Sequence, residues 1–151
     1  MTFINKGKLL VTLAAFALSS LTIAAELKPV FQSQSDSLNW TDTSSLPGAK
    51  VAVLAGDPAK HQPFVARIKL PANFTIPVHA HPINEYDTVI SGTLYMGAGK
   101  TMDQKNVFEL TTGSFIMVPA KTYHYAFTKE ETIVQTSGIG PWGMIPYKNK
   151  S

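Results

Sequence analysis

The chain has no cysteine. That excludes disulfide frameworks, thiolate zinc sites, iron–sulfur clusters and cysteine nucleophiles. Charge is sparse, with 15% Asp, Glu, Lys and Arg. After residue 25 no segment keeps the 3.6-residue apolar stripe of a long helix, and neither an internal repeat nor an interior linker is visible. Among 151 residues, 44% are hydrophobic, which is enough for one ordinary core. A wholly disordered chain and a two-domain chain are both disfavoured by these figures.

What is present begins with a leader. Lys6 and Lys8 precede an uncharged run from Leu9 to Ala25, LLVTLAAFALSSLTIAA, which ends on small residues before Glu26. A basic start, a short apolar centre and a small-residue end predict a cleavable signal peptide over 1–25 and an exported, periplasmic or secreted protein. The run is short for a bilayer span of about 20 residues, so no membrane attachment is expected after cleavage. Cutting there removes two lysines and leaves 11 basic against 10 acidic side chains. A nearly neutral body has no broad basic surface for nucleic acid, which needs clustered Lys and Arg.

Residues 26–48 include a polar stretch, QSQSDSLNWTDTSS, that reads as an N-terminal arm with Trp40 as its anchor. From 49 to 147 the pattern changes to short runs rich in Val, Ile, Thr, Tyr and Phe, broken by Gly and Pro. Nine such runs, from KVAVLA at 50–55 to TIVQT at 132–136, predict a single all-β sandwich or barrel.

The histidines direct the functional reading. Three of the four fall in one frame: His79-Ala80-His81, then Glu85, then His124. Side chains two apart on an extended segment share a face, so His79 and His81 can reach one ion together. Glu85 follows the turn-like Pro82-Ile83-Asn84 and can return to that face, while His124, in the middle of TYHYAF, can close the site from a neighbouring strand. Imidazoles with one carboxylate suit a single divalent transition metal: Mn, Fe, Zn, Ni or Cu.

The stretch from Asn73 to Gly92, NFTIPVHAHPINEYDTVISG, resembles the first cupin motif, with His79, His81, Glu85 and Gly92 in register. GSFIMVPAKTYHYAFT, from Gly113 to Thr128, resembles the second through Gly113, Pro119 and His124. Asn73, Lys121 and Thr128 depart from the motifs' Gly, Gly and Asn. The resemblance implies a cupin-type jelly-roll β-barrel with His79, His81, Glu85 and His124 as inward-pointing metal ligands. It also implies open positions on the ion for water, a small organic ligand or dioxygen. The tail from Ser137 to Tyr147, SGIGPWGMIPY, is similar to small exported bacterial cupins.

Several residues have two readings. Asp87, two after Glu85, faces inward under strict alternation, as a partner to a ligand histidine or as a general base; a bulge would put it in solvent. Tyr95, Met96, Phe115 and Met117 either line a small pocket or fill the core. Tyr123 and Tyr125 flank His124 and should point away from it. Arg67 and Lys69 are expected outward, and His61 in an exposed turn. Trp142 and Met144 can cover the barrel mouth or serve an oligomer contact, and a homodimer is compatible with the cupin resemblance. GAGKT at 97–101 imitates the end of a phosphate-binding loop, but Leu94 takes the first-glycine position and no helix follows, so a nucleotide site is rejected.

The function expected is therefore a metal-binding cupin acting on a small molecule as a dioxygenase-, decarboxylase- or isomerase-type enzyme. The alternatives are a sensor, carrier or buffer, and a protein whose metal only staples the barrel.

Overall fold

The segment PFVARIKL shows how the chain builds its walls. Phe64, Ala66, Ile68 and Leu70 are buried, while Val65, Arg67 and Lys69 alternate to the outer face. The computed structural model describes residues 36–148, and among these it contains strands and no helix. The leader at 1–25 and the start of the arm lie outside the described residues.

In chain order the strands are β1 (Thr41–Asp42), β2 (Lys50–Ala55), β3 (Pro63–Leu70), β4 (Thr75–Ala80), β5 (Glu85–Ser91) and β6 (Thr93–Ala98). They continue as β7 (Phe108–Thr111), β8 (Phe115–Val118), β9 (His124–Thr128), β10 (Thr132–Ile139) and β11 (Ile145–Pro146). All pairings are antiparallel. One sheet has the order β1-β2-β3-β10-β5-β8 and the other β11-β4-β9-β6-β7. Two antiparallel sheets facing one another across a shared core make the jelly roll. Ile68, Leu70, Val89 and Val134 come from the first sheet and Ile76, Leu94, Met96 and Ala126 from the second.

Two short strands were not foreseen in the runs of β-like residues. β1 ties the described end of the arm to β2, and β11 ties the tail to β4, with Ile145 opposite Ala80 and Pro146 opposite His79. Trp40 lies beneath the Lys69 ammonium, 4.7 Å from its ring centre. His124 opens β9; it does not sit mid-strand.

The glycine substitutions in the two motifs leave the backbone path intact. Asn73 has φ 57° and Lys121 φ 64°, both left-handed, so each non-glycine residue occupies a conformation suited to glycine. Gly92 keeps that freedom at φ 76°, where a Cβ would stand 2.5 Å from the Glu131 carbonyl oxygen.

Candidate metal centre

His79 lies near the end of β4, paired across the ladder with His124 of β9, and His81 follows immediately after the strand ends at Ala80. Glu85 enters from the first residue of β5 in the opposing sheet. All four side chains are buried, each no more than 4% exposed. The ring atoms available for coordination on the three histidines lie within 4.8 Å of one another. The structure thus brings together every residue that the motifs placed at the site.

Backbone carbonyls fix which nitrogen faces inward. Nδ1 of His79 donates to Pro77 O at 2.8 Å, Nδ1 of His81 to Gly143 O at 2.7 Å, and Nδ1 of His124 to Thr122 O at 3.0 Å. A carbonyl only accepts, so each Nδ1 carries the proton and each neutral ring turns a bare Nε2 to the centre. Burial keeps them neutral. Desolvation lowers His79 to about 3, assisted by the cost of charging it beside His124, and desolvation also lowers His81 and His124.

Bare lone pairs therefore converge. Nε2 of His79 and His81 are 3.1 Å apart, and Glu85 Oε2 stands 3.2 Å from His81 Nε2 and 3.7 Å from His124 Nε2. Two nitrogens at right angles on one ion, each at about 2.1 Å, stand about 3.0 Å apart. The donor set and its spacing fit a borderline divalent cation, and the three buried imidazoles can hold one between them.

The carboxylate is held from behind. Trp142 Nε1 donates to Glu85 Oε1 at 3.0 Å and Thr136 Oγ1 donates to the same oxygen at 3.3 Å, leaving Oε2 toward the imidazoles. Desolvation raises the Glu85 pKa, against the opposing influence of His124 and these two donors. Trp142 also stacks on His81, with centroids 5.8 Å apart and planes at 23°, and packs on Phe64 at 5.6 Å. These supports were not visible in sequence. Trp142 and Gly143 lie about sixty residues from Glu85 and His81, in a glycine-rich tail with no motif of its own.

Asp87 is inward and buried at 6% exposure. The β5–β8 register is regular over residues 85–88, so the bulge that would have turned Asp87 to solvent does not occur. Among the described residues its Oδ1 has no hydrogen-bond partner. Desolvation pushes its pKa well above the usual carboxylate range, and the neighbouring Glu85 charge adds to the rise.

His79, His81, His124, Glu85 and Asp87 line one cavity of about 330 Å³, with Thr41, Asp42, Thr43, Ser45 and Leu46 of the arm and Trp142 to Met144 of the tail among its other walls. Met96 lines it too. Phe115 and Met117 do not, being 61% and 45% exposed; the phase of β8 turns Ile116 and Val118 to the interior, so neither Phe115 nor Met117 fills the core, and only Met117 borders a pocket, a smaller one of about 130 Å³ beside Met96 and His124. Tyr95 stacks on Phe127 away from the cavity, with a centroid separation of 4.9 Å. Tyr125 is buried with its hydroxyl on the Asp103 backbone, and Tyr123 packs edge-on to Tyr147. Arg67 reaches Gln135, and His61 is exposed beside Gly140. Gly97 to Thr101 closes β6 and enters a turn with no helix behind it.

A jelly roll with this inward cluster of imidazoles has the cupin fold. More narrowly, the chain belongs to the family described as Domain of unknown function (DUF4437), whose model matches residues 8–136. Among solved structures it is similar to an RmlC-like cupin from Shewanella frigidimarina, with 20% identity, TM-score 0.57, and coverage of 72% of this chain and 89% of that one. It is similar to KdgF from Halomonas sp. at 15% identity and TM-score 0.58, over 76% of this chain and 96% of that one. The polyketide cyclase RemF from Streptomyces resistomycificus aligns at 12% identity and TM-score 0.65, over 81% and 89% of the respective chains. Likeness at these identities establishes the fold. No curated protein matches the chain.

Proposed function

We propose that this protein is an exported, metal-dependent enzyme that moves a proton on a small oxygen-containing molecule, in isomerase- or lyase-type chemistry. His79, His81, Glu85 and His124 would hold one divalent ion, which when bound would supply Lewis-acid chemistry toward an oxygen of the substrate. Asp87 is the proton-handling residue. Trp142 and Thr136 restrain Glu85, and the carbonyls of Pro77, Thr122 and Gly143 aim the imidazoles.

The carrying observation is the unpartnered Asp87 Oδ1 on the wall of the same cavity as the imidazoles. A buried polar atom without a partner costs about 1–3 kcal/mol, and a site that merely staples a barrel has no use for it. As the carboxylate, Asp87, two residues along the strand from Glu85, is placed to take a proton from carbon beside a polarised carbonyl and, once protonated, to return it. The remainder of the wall is largely apolar, which excludes competing water. Export rests on the leader at 1–25, and the neighbouring polyketide cyclase shows that this fold accommodates an enzyme.

The test is proton exchange. Metal-loaded protein is incubated in D2O with a panel of small hydroxy-ketones, and deuterium at the carbon beside the carbonyl is read by NMR. Wild type should incorporate deuterium and Asp87→Asn should not, with one equivalent of metal retained in both. Equal exchange in the two proteins removes Asp87 from the chemistry. Tight ligand binding with no exchange across the panel supports a sensor or carrier instead.

A further inference from the structure

The ladder registers stack the cavity in levels. At one end His79 faces His124 across β4 and β9, with Glu85 opposite. Two residues along β5, about 6–7 Å further in, Asp87 is paired with Thr136, and Met96 with Ala126. Two residues further still, Val134 is paired with Ile68, while Leu70 and Leu94 extend the same wall. Along β5 and β10 polarity therefore falls off in one direction, from imidazole to carboxyl to hydrocarbon, while Thr41 and Asp42 of the arm border the hydrocarbon level through their pairing with β2.

Charge sharpens the gradient. Among the described residues lining the cavity there is no Lys or Arg, and the charged ones are Asp42, Glu85 and Asp87. Asp42 is already engaged by Lys50 at 3.1 Å on the exposed side. A phosphate, sulfate or second carboxylate on a ligand would meet two buried carboxyls or bare hydrocarbon, with no cation to compensate desolvation. The one carboxylate at the hydrocarbon level, Asp42, is already paired with Lys50, so a ligand ammonium group finds no free partner there. The volume, about 330 Å³, is at the small end of ligand sites.

We infer that the cavity takes an uncharged molecule with three parts: an oxygen-donor head at the imidazole level, one hydroxyl at the level of Asp87, and a hydrocarbon end against Ile68, Leu70, Leu94 and Val134. This deepens the proposed function and rests on it for the head group alone. The hydroxyl supplies the hydrogen bond that Asp87 Oδ1 lacks among the described residues. Asp87 is then a selectivity determinant as well as a proton carrier.

Three probes share a vicinal-diol head and differ at the far end: 4-methylcatechol, 3,4-dihydroxybenzyl alcohol and 3,4-dihydroxybenzoate. Binding is measured by calorimetry on zinc-loaded protein, zinc being redox-silent. The benzyl alcohol should bind severalfold to about tenfold more tightly than the methyl compound, as one hydrogen bond predicts. The benzoate should be at least about tenfold weaker than either. In Asp87→Leu the alcohol's advantage over methyl should vanish while the benzoate stays weak. Metal-free protein is tested in parallel with benzyl alcohol and benzoate, and the alcohol should again win. A benzoate that binds as tightly as the alcohol in either form overturns the inference. So does an alcohol preference that survives in Asp87→Leu. Failure of zinc loading contradicts the metal centre, and the metal-free pair still decides the charge selectivity.

Discussion

Replacing Trp142 by Phe isolates the support behind Glu85. Phe keeps an aromatic ring against His81 and Phe64 but deletes the Nε1–H that donates to Glu85 Oε1 at 3.0 Å. The other donor to that oxygen, Thr136 Oγ1 at 3.3 Å, is longer and cannot replace it. A hydrogen bond to a charged group contributes about 1.5–3 kcal/mol, and loss of a partner behind a metal ligand typically weakens metal binding about 10–100-fold. Both estimates point the same way, because the carboxylate loses its fixed orientation and its burial goes less compensated. Metal affinity, measured by competition against a chromophoric chelator, should fall in that range for Trp142→Phe. Trp40→Phe should leave it unchanged, since Trp40 sits against Lys69 on the outer face. An affinity for Trp142→Phe within twofold of wild type would refute the role assigned to the indole.

Metal itself should raise the melting temperature: at a free concentration about a thousand times Kd, binding stabilises the native state by about 4 kcal/mol, and a chelator should reverse the gain in calorimetry. Lys121→Gly should stabilise the fold by about 0.5–1 kcal/mol in urea unfolding, because Lys121 is held at φ 64°, and Asn73→Gly should gain less because Asn tolerates the left-handed region better. Gly97→Ala should destabilise by at least about 2 kcal/mol in the same assay, because its Cβ would stand 2.3 Å from the buried Tyr125 ring.

The parts of the site carried by local pattern were legible in the sequence. The two-residue spacing of His79 and His81 already suggested a shared face, and Glu85, Gly92, Gly113 and His124 fell into a recognisable spacing. What eluded sequence reading was non-local or depended on phase. Trp142 supports Glu85 across 57 positions and Gly143 holds His81 across 62, and no spacing rule connects them. Phe115 and Met117 were assigned to pocket or core because apolar character identifies a strand without saying which alternate residues face in. The two-residue strands β1 and β11 have too few residues to show a period, yet they place arm and tail beside the cavity. Asn73 and Lys121 show the converse. The motif glycines are gone, but the backbone conformation they serve persists.

The central claim is that three imidazoles and Glu85 hold one metal ion. Elemental analysis of protein purified without a metal-binding tag, alongside His81→Ala and His124→Ala, tests it most directly. The account predicts about one equivalent of a transition metal in wild type and loss of that metal in both variants, with all three proteins folded by circular dichroism. A wild type that arrives without metal and refuses added Mn, Fe, Ni, Cu and Zn would contradict it.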